Sequence, residues 1–213
     1  MHLPTPTITL HHGDLPAHID FGRMVAIDTE SIGLNALRDR LCVVQLSAGD
    51  NTAHLVQFAK DSYDAPNLKK LLADPSVTKL FHFARADLAM ISHYLGVMPA
   101  PVYCTKVASV IARTFSERHS LKDLARDLLG LDLAKEQQTS DWGAAELTPE
   151  QKVYAANDVL YLHKIKEKLD AILEREKRTH LARAAFDFLP ARAALDIAGW
   201  SNVDIFAHKP VRG

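Results

Sequence analysis

Apolar positions along the first half of the chain fall into short runs and alternations of strand length, whereas from Ser120 onward they recur at helical spacing. "TITLHHGDL" predicts a short strand leading into a turn. "MVAIDTE", "LCVVQLSAGD" and "TAHLVQF" predict three more strands, with Gly49–Asp50–Asn51 as a hairpin signal between the last two. "APNLKKLLADPSV" reads as a short helix with Pro75 at its exit. "TKLFHFA" then reads as a strand, "RADLAMISHYLG" as a helix closed by Gly96, and "VYCTK" as a last short strand before the helix "KVASVIARTF".

In the second half, "SLKDLARDLLG" has apolar residues at helical spacing and a glycine stop. "TPEQKVYAANDVLYLHKIKEKLDAILEREKRTH" opens on a Thr–Pro–Glu start signal and is expected to continue as one helix for many turns. The tail "LARAAFDFLPARAALDIAGW" predicts one or two short helices broken at Pro190. Early strands, partly in hairpins and partly joined by helices, followed by a helical half, predict an α/β fold with a mixed sheet covered by helices. The expected organisation is a catalytic domain over residues 1–175 and a C-terminal helical extension over 176–213, with no repeat or flexible linker between them.

Composition narrows the choice of partner. The 213 residues carry a net charge of −1, and no long basic block is visible. A nucleic-acid partner is therefore better gripped at a chain end, or as a very short substrate, than along a track of phosphates. Cys42 and Cys104 have no metal-ligand or redox spacing and suit a reducing compartment. No basic leader and no membrane-length apolar run is visible, so the cytoplasm is the expected setting and no membrane partner is expected.

Two carboxylates interrupt the apolar run "VAIDTESIGL". Side chains two apart on a strand point the same way, so Asp28 and Glu30 stand side by side next to a core. Asp87 falls in the first turn of a helix just after a strand; taken alone it equally suits the helix dipole. Tyr154 and Asp158, four apart, share one helix face. Convergent carboxylates without cysteine ligands describe a site for hard divalent cations, Mg²⁺ or Mn²⁺ rather than Zn²⁺, and such ions point to phosphodiester chemistry.

In order along the chain, "DTE", "HFARAD" and "YAANDV" resemble the three motifs of the DEDD-type 3′→5′ exonucleases. The tyrosine four residues before the last aspartate resembles the DEDDy branch, to which ribonuclease D belongs. "AKEQQTSDWG" is similar to the segment ribonuclease D carries before its third motif. The resemblance spans Met24 to Leu169 and implies a ribonuclease H-like fold. It also implies two divalent ions held by Asp28, Glu30, Asp87 and Asp158, with Tyr154 orienting or deprotonating the attacking water. Too little chain follows the third motif for ribonuclease D's helical nucleic-acid-binding repeats, and the compact form is similar to enzymes of the nanoRNase C type. That likeness implies short single-stranded RNA and dinucleotides such as pGpG as substrates, and a homo-oligomer, an octamer by analogy.

Four further residues are candidate substrate contacts. Leu34 is placed to wedge between two bases, or is a plain core or loop leucine. His82 faces substrate phosphate or is a structural hydrogen-bonder. Lys135 offsets phosphate charge or is merely solvated. Trp142 braces the site or belongs to the core. The stretch "HKIKEKLDAILEREKRTH" reads as a solvated helix face. Apolar residues of the tail, among them Phe186 and Trp200, either join protomers or close the core. The competing functions are a ribonuclease D-like trimming enzyme with broader RNA or DNA substrates and a non-catalytic nucleic-acid-binding module.

Overall fold

A computed structural model describes residues 5–133 and 140–208. The strands are β1 (Thr7–His12), β2 (Met24–Ser31), β3 (Leu41–Ser47), β4 (Thr52–Gln57), β5 (Thr78–Phe81) and β6 (Val102–Cys104). The helices are α1 (Pro66–Ala73), α2 (Ala84–Leu95), α3 (Thr105–Ala112), α4 (Leu121–Leu124), α5 (Pro149–Leu160), α6 (Leu162–Arg175) and α7 (Thr179–Leu195). Strands pair in the order β1-β4-β3-β2-β5-β6. Contacts β1–β4, β2–β5 and β5–β6 are parallel, and β2–β3 and β3–β4 are antiparallel. The mixed α/β sheet covered by helices is therefore the one the pattern predicts.

β2 lies inside the sheet, which explains why Val25, Ala26 and Ile27 form an uninterrupted buried run. The hairpin between β3 and β4 turns where Gly49 and Asn51 take positive φ, 79° and 69°. Gly49 is also a close approach: a Cβ there would meet the His163 ring of α6 at 2.7 Å. Among the described residues no helix is long and apolar enough to cross a membrane.

Three helical expectations change. The helix expected from Thr148 to His180 is broken at Tyr161 (φ −105°, ψ −4°) and again near Lys177, giving α5, α6 and the start of α7. α5 packs on β2, β3 and β4 while α6 packs chiefly on α3, so the bend lets each half follow a different layer. The apolar periodicity runs through both halves and hides it. Pro190 does not break the tail: α7 runs through it as one helix, followed by a π turn over Asp196–Trp200. Only one backbone hydrogen bond is lost to the ring, and Phe186, Leu189 and Ala193 hold the helix on both sides of the proline. The third case is α4, which passes into a π turn over Ala125–Leu129 before Gly130 ends it.

α7 packs along α2, β6 and α3, and its buried residues belong to the same hydrophobic cluster as the sheet. The Phe186 ring lies 4.4 Å, centroid to centroid, from Tyr103 of β6. Phe186→Ala is therefore expected to lower the free energy of unfolding by about 3–5 kcal/mol, read as a shifted midpoint in one cooperative urea transition. A separate early transition, with the midpoint of the main one unchanged, would instead make α7 an independent appendage.

Candidate active site

The register of β2 and β3 sets out the site. Asp28 pairs with Gln45 and Glu30 with Val43, so all four share one face. α5 covers that face. Its start is fixed by a capping box: Thr148 Oγ1 accepts from Gln151 N at 3.2 Å, and Thr148 N donates to Gln151 Oε1 at 2.8 Å. Gln151 Nε2 also donates to Ser140 Oγ and to the Asp141 carbonyl, tying the helix start to the preceding loop. Two turns on, α5 delivers Tyr154 and Asp158 on one face, where the Asp158 charge is felt at the Tyr154 phenol. Carboxylate oxygens of Asp28, Glu30 and Asp158 lie within 4.8 Å of one another.

Asp87 arrives from the other face. Thr29 alternates with Asp28 and Glu30, and its Oγ1 donates to Asp87 Oδ1 at 2.7 Å from the α2 side of the sheet. Asp87 is buried and stands outside the group of three, though its charge is felt at Glu30.

Electrostatics decide what the cluster can hold. At 4.8 Å and an effective dielectric near ~20, two carboxylates repel by about 3.5 kcal/mol. Three pairs approach the whole stability of a domain, about 5–15 kcal/mol. Among the described residues no Lys or Arg forms an ion pair with any of the four. Without a cation, burial and this crowding raise all four and favour their protonated forms. Burial pushes Asp28 up to about 7. Burial, then Asp28, Asp158 and Asp87, pushes Glu30 up to about 10. Asp87 and Asp158 are raised by burial and by Asp28. Clustered oxygen donors with no sulfur or imidazole among them fit a hard divalent ion. Burial and the neighbouring carboxylates raise the Tyr154 phenol too, so it stays protonated and acts as a hydrogen-bond donor.

The expected substrate contacts fare differently. Leu34 is fully exposed on the loop between β2 and β3, which removes the core reading. That loop is held from beneath: Asp39 Oδ2 accepts from Asn35 N at 3.0 Å, and Ser31 Oγ donates to the Gly33 carbonyl at 2.5 Å. His82 bonds Thr105 Oγ1 through Nδ1 at 2.9 Å. Because Thr105 donates its hydrogen to the Phe81 carbonyl, the proton is assigned to His82 Nδ1, leaving Nε2 an acceptor. Burial and then Lys106 push His82 down to about 4, so it is neutral and brings no positive charge to a phosphate. Trp142 is 2% exposed, and its ring lies 6.0 Å from that of Tyr154. It packs beside the phenol within the core, in keeping with the expectation that it braces the site or belongs to the core. Lys135 lies outside the described residues.

A model of the 3'-5' exonuclease family matches residues 15–174. The chain belongs to this family. It is 35% identical over 178 residues to ribonuclease D of Gluconacetobacter diazotrophicus, covering 82% of this chain and 45% of that one. It thus spans about half the length of the curated relatives it matches. Among solved structures, Brucella melitensis NrnC bound to pGG is similar with a TM-score of 0.93 and 52% identity, over 96% of this chain and 100% of that one. The same protein with bound Mg²⁺ gives 0.92 and 51%, over 95% and 100%. As expected, the exonuclease is of the ribonuclease D and NrnC type.

Two supporting residues of this exonuclease site escaped the sequence reading. Gln45 is fully buried and its Nε2 donates to Asp28 Oδ2 at 3.3 Å; a glutamine inside the apolar run "LCVVQLS" was the available signal. Thr29, the middle residue of "DTE", holds Asp87. It carries no sequence mark of its own.

Two outcomes test the geometry. Stability contributed by protonated Asp28 and Glu30 is present below their ordinary values of 3.8 and 4.5 and is lost as pH rises through about 7 and about 10. Mg²⁺ should therefore raise the Tm of metal-free protein more at about pH 8 than at about pH 6, because charged carboxylates bind the ion and neutral ones do not. Equal rises at both would place the ion elsewhere. Separately, a Cβ at Gly33 would run into the Asp39 carboxylate. Gly33→Ala should displace the Leu34 loop and raise KM for RNA while leaving Mg²⁺ binding by calorimetry unchanged.

Proposed function

We propose that the chain is a metal-dependent 3′→5′ exoribonuclease hydrolysing very short RNAs, diribonucleotides such as pGpG included, to nucleoside 5′-monophosphates. The observation that carries this reading is the convergence of Asp28, Glu30 and Asp158 oxygens within 4.8 Å of one another. Likeness to NrnC along its whole length, in a structure containing pGG, supports a short substrate. So does a net charge of −1, which offers little for a long phosphate backbone. A cytoplasmic setting and a homo-oligomer, an octamer by analogy, belong to the same reading.

Asp28, Glu30 and Asp158 would hold one divalent ion, with Asp28 shared towards a second that Asp87 supports. When bound, Mg²⁺ or Mn²⁺ activates water and neutralises charge building on the scissile phosphate. The chain's own groups do the positioning. Thr29 and Gln45 each fix one carboxylate through a hydrogen bond, so the ligand oxygens need not reorganise. Tyr154, protonated and braced by Trp142, offers a hydroxyl beside Asp158 that orients the attacking water. Leu34, exposed on its buttressed loop, is placed to separate two bases.

The test is hydrolysis of 5′-labelled RNAs of about two, three, seven and twenty nucleotides with Mg²⁺ or Mn²⁺ under single-turnover conditions. Much faster cleavage of the shortest supports the reading. Comparable or faster loss of the longest would make the chain a general trimming exonuclease. Asp158→Asn should cost at least about 100-fold in kcat, the scale for losing a group that stabilises transition-state charge. It should also raise the Tm of metal-free protein by easing the repulsion. Tyr154→Phe should lower kcat more than it raises KM; equal loss in both would make the phenol a substrate-binding group.

A further inference from the structure

Beside the carboxylates the chain keeps an aromatic ring in water at a position whose backbone favours glycine. Phe83, just ahead of α2, has φ 65° and ψ 44° and is 47% exposed. A bulky L-residue is strained in this left-handed region. So little burial does not offset that, and a strained residue held at a site's edge calls for a role. Lys106 Nζ stands 4.3 Å from the ring centroid. Among the described residues its ammonium makes no ion pair with any carboxylate.

Sheet register shows where this pair sits. Ala26, Leu80 and Tyr103 form one row across β2, β5 and β6. Just past the ends of β5 and β6, His82 Nδ1 and Thr105 Oγ1 are joined by a hydrogen bond. Phe83 then caps α2, and Lys106 stands in the first turn of α3. Asp87, held by Thr29, follows Phe83 by one helical turn of α2. The ring and its ammonium therefore stand at the ends of β5 and β6, next to the start of the helix that carries Asp87, whereas the loop carrying Leu34 springs from β2 and β3.

We propose that Phe83 and Lys106 form a nucleotide platform. The ring stacks on a base next to the scissile phosphate, and the ammonium pairs with that nucleotide's phosphate. The platform deepens the exonuclease reading and rests on it. A stack on an exposed ring is indifferent to base identity, because every base has a π-face. An ammonium that makes no ion pair among the described residues offers an anionic substrate an attraction that the carboxylates do not. Together they would hold the nucleotide at the ends of β5 and β6.

Phe83→Gly separates this role from a structural one, since glycine suits the backbone conformation better than phenylalanine. The expected result with Mg²⁺ is an unchanged or higher Tm. KM for a diribonucleotide should rise about 10-fold or more, kcat should change far less, and Phe83→Tyr should restore KM. In parallel, Lys106→Gln should make the slope of log kcat/KM against log salt shallower by about 0.7. An unchanged KM in Phe83→Gly, or a Tm below that of the wild type, overturns the platform. An unchanged slope in Lys106→Gln removes the ammonium from it. If the wild type hydrolyses no RNA with either metal, the exonuclease reading falls and the platform with it. If it hydrolyses RNA and the variants match it, only the platform falls.

Discussion

Mutual repulsion among Asp28, Glu30, Asp158 and Asp87 is the constraint around which this fold is arranged. Charges that close in a partly dehydrated place oppose folding with an energy comparable to the stability of the domain. A lysine or arginine wedged among them would relieve the repulsion permanently and destroy the site. The chain relieves it only in part: Thr29 and Gln45 donate hydrogen bonds to Asp87 and Asp28 without neutralising them. The remaining charge is available to a divalent ion.

Holding such a cluster requires a rigid frame, and the frame is built from both faces of one strand. β2 is buried and paired on both sides along its first half, and beyond that the register with β3 sets the positions of Asp28 and Glu30. α5 brings Asp158 to one face, and α2 brings Asp87 round from the other through Thr29. The bend at Tyr161 releases the chain from the sheet immediately after Asp158 and turns it onto α3. α7 then packs against α2 and β6, stiffening the helix that carries Asp87.

The surroundings of the cluster answer its charge by chemistry other than a basic track. An exposed leucine stands on a buttressed loop, and an exposed phenylalanine has a lysine over it. Apolar and aromatic surfaces suit bases, while a single ammonium and divalent ions suit one or two phosphates.

Much of this was legible in the sequence. The period-2 and helical patterns carried the strands and most helices, because burial on one face imposes those periods directly. Asp28, Glu30, Asp87, Tyr154 and Asp158 stood out because charge inside apolar runs needs a partner, and the order of "DTE", "HFARAD" and "YAANDV" resembled one family. Tertiary structure alone decided the rest. Whether a long amphipathic run is one helix or two depends on which layers it meets, and a proline is tolerated where packing on either side exceeds one lost hydrogen bond. The support given by Thr29, the packing of Trp142 beside Tyr154, and the pairing of Phe83 with Lys106 join residues far apart in the chain or set a backbone angle. Local pattern records which face a residue prefers; it does not record what stands across from it.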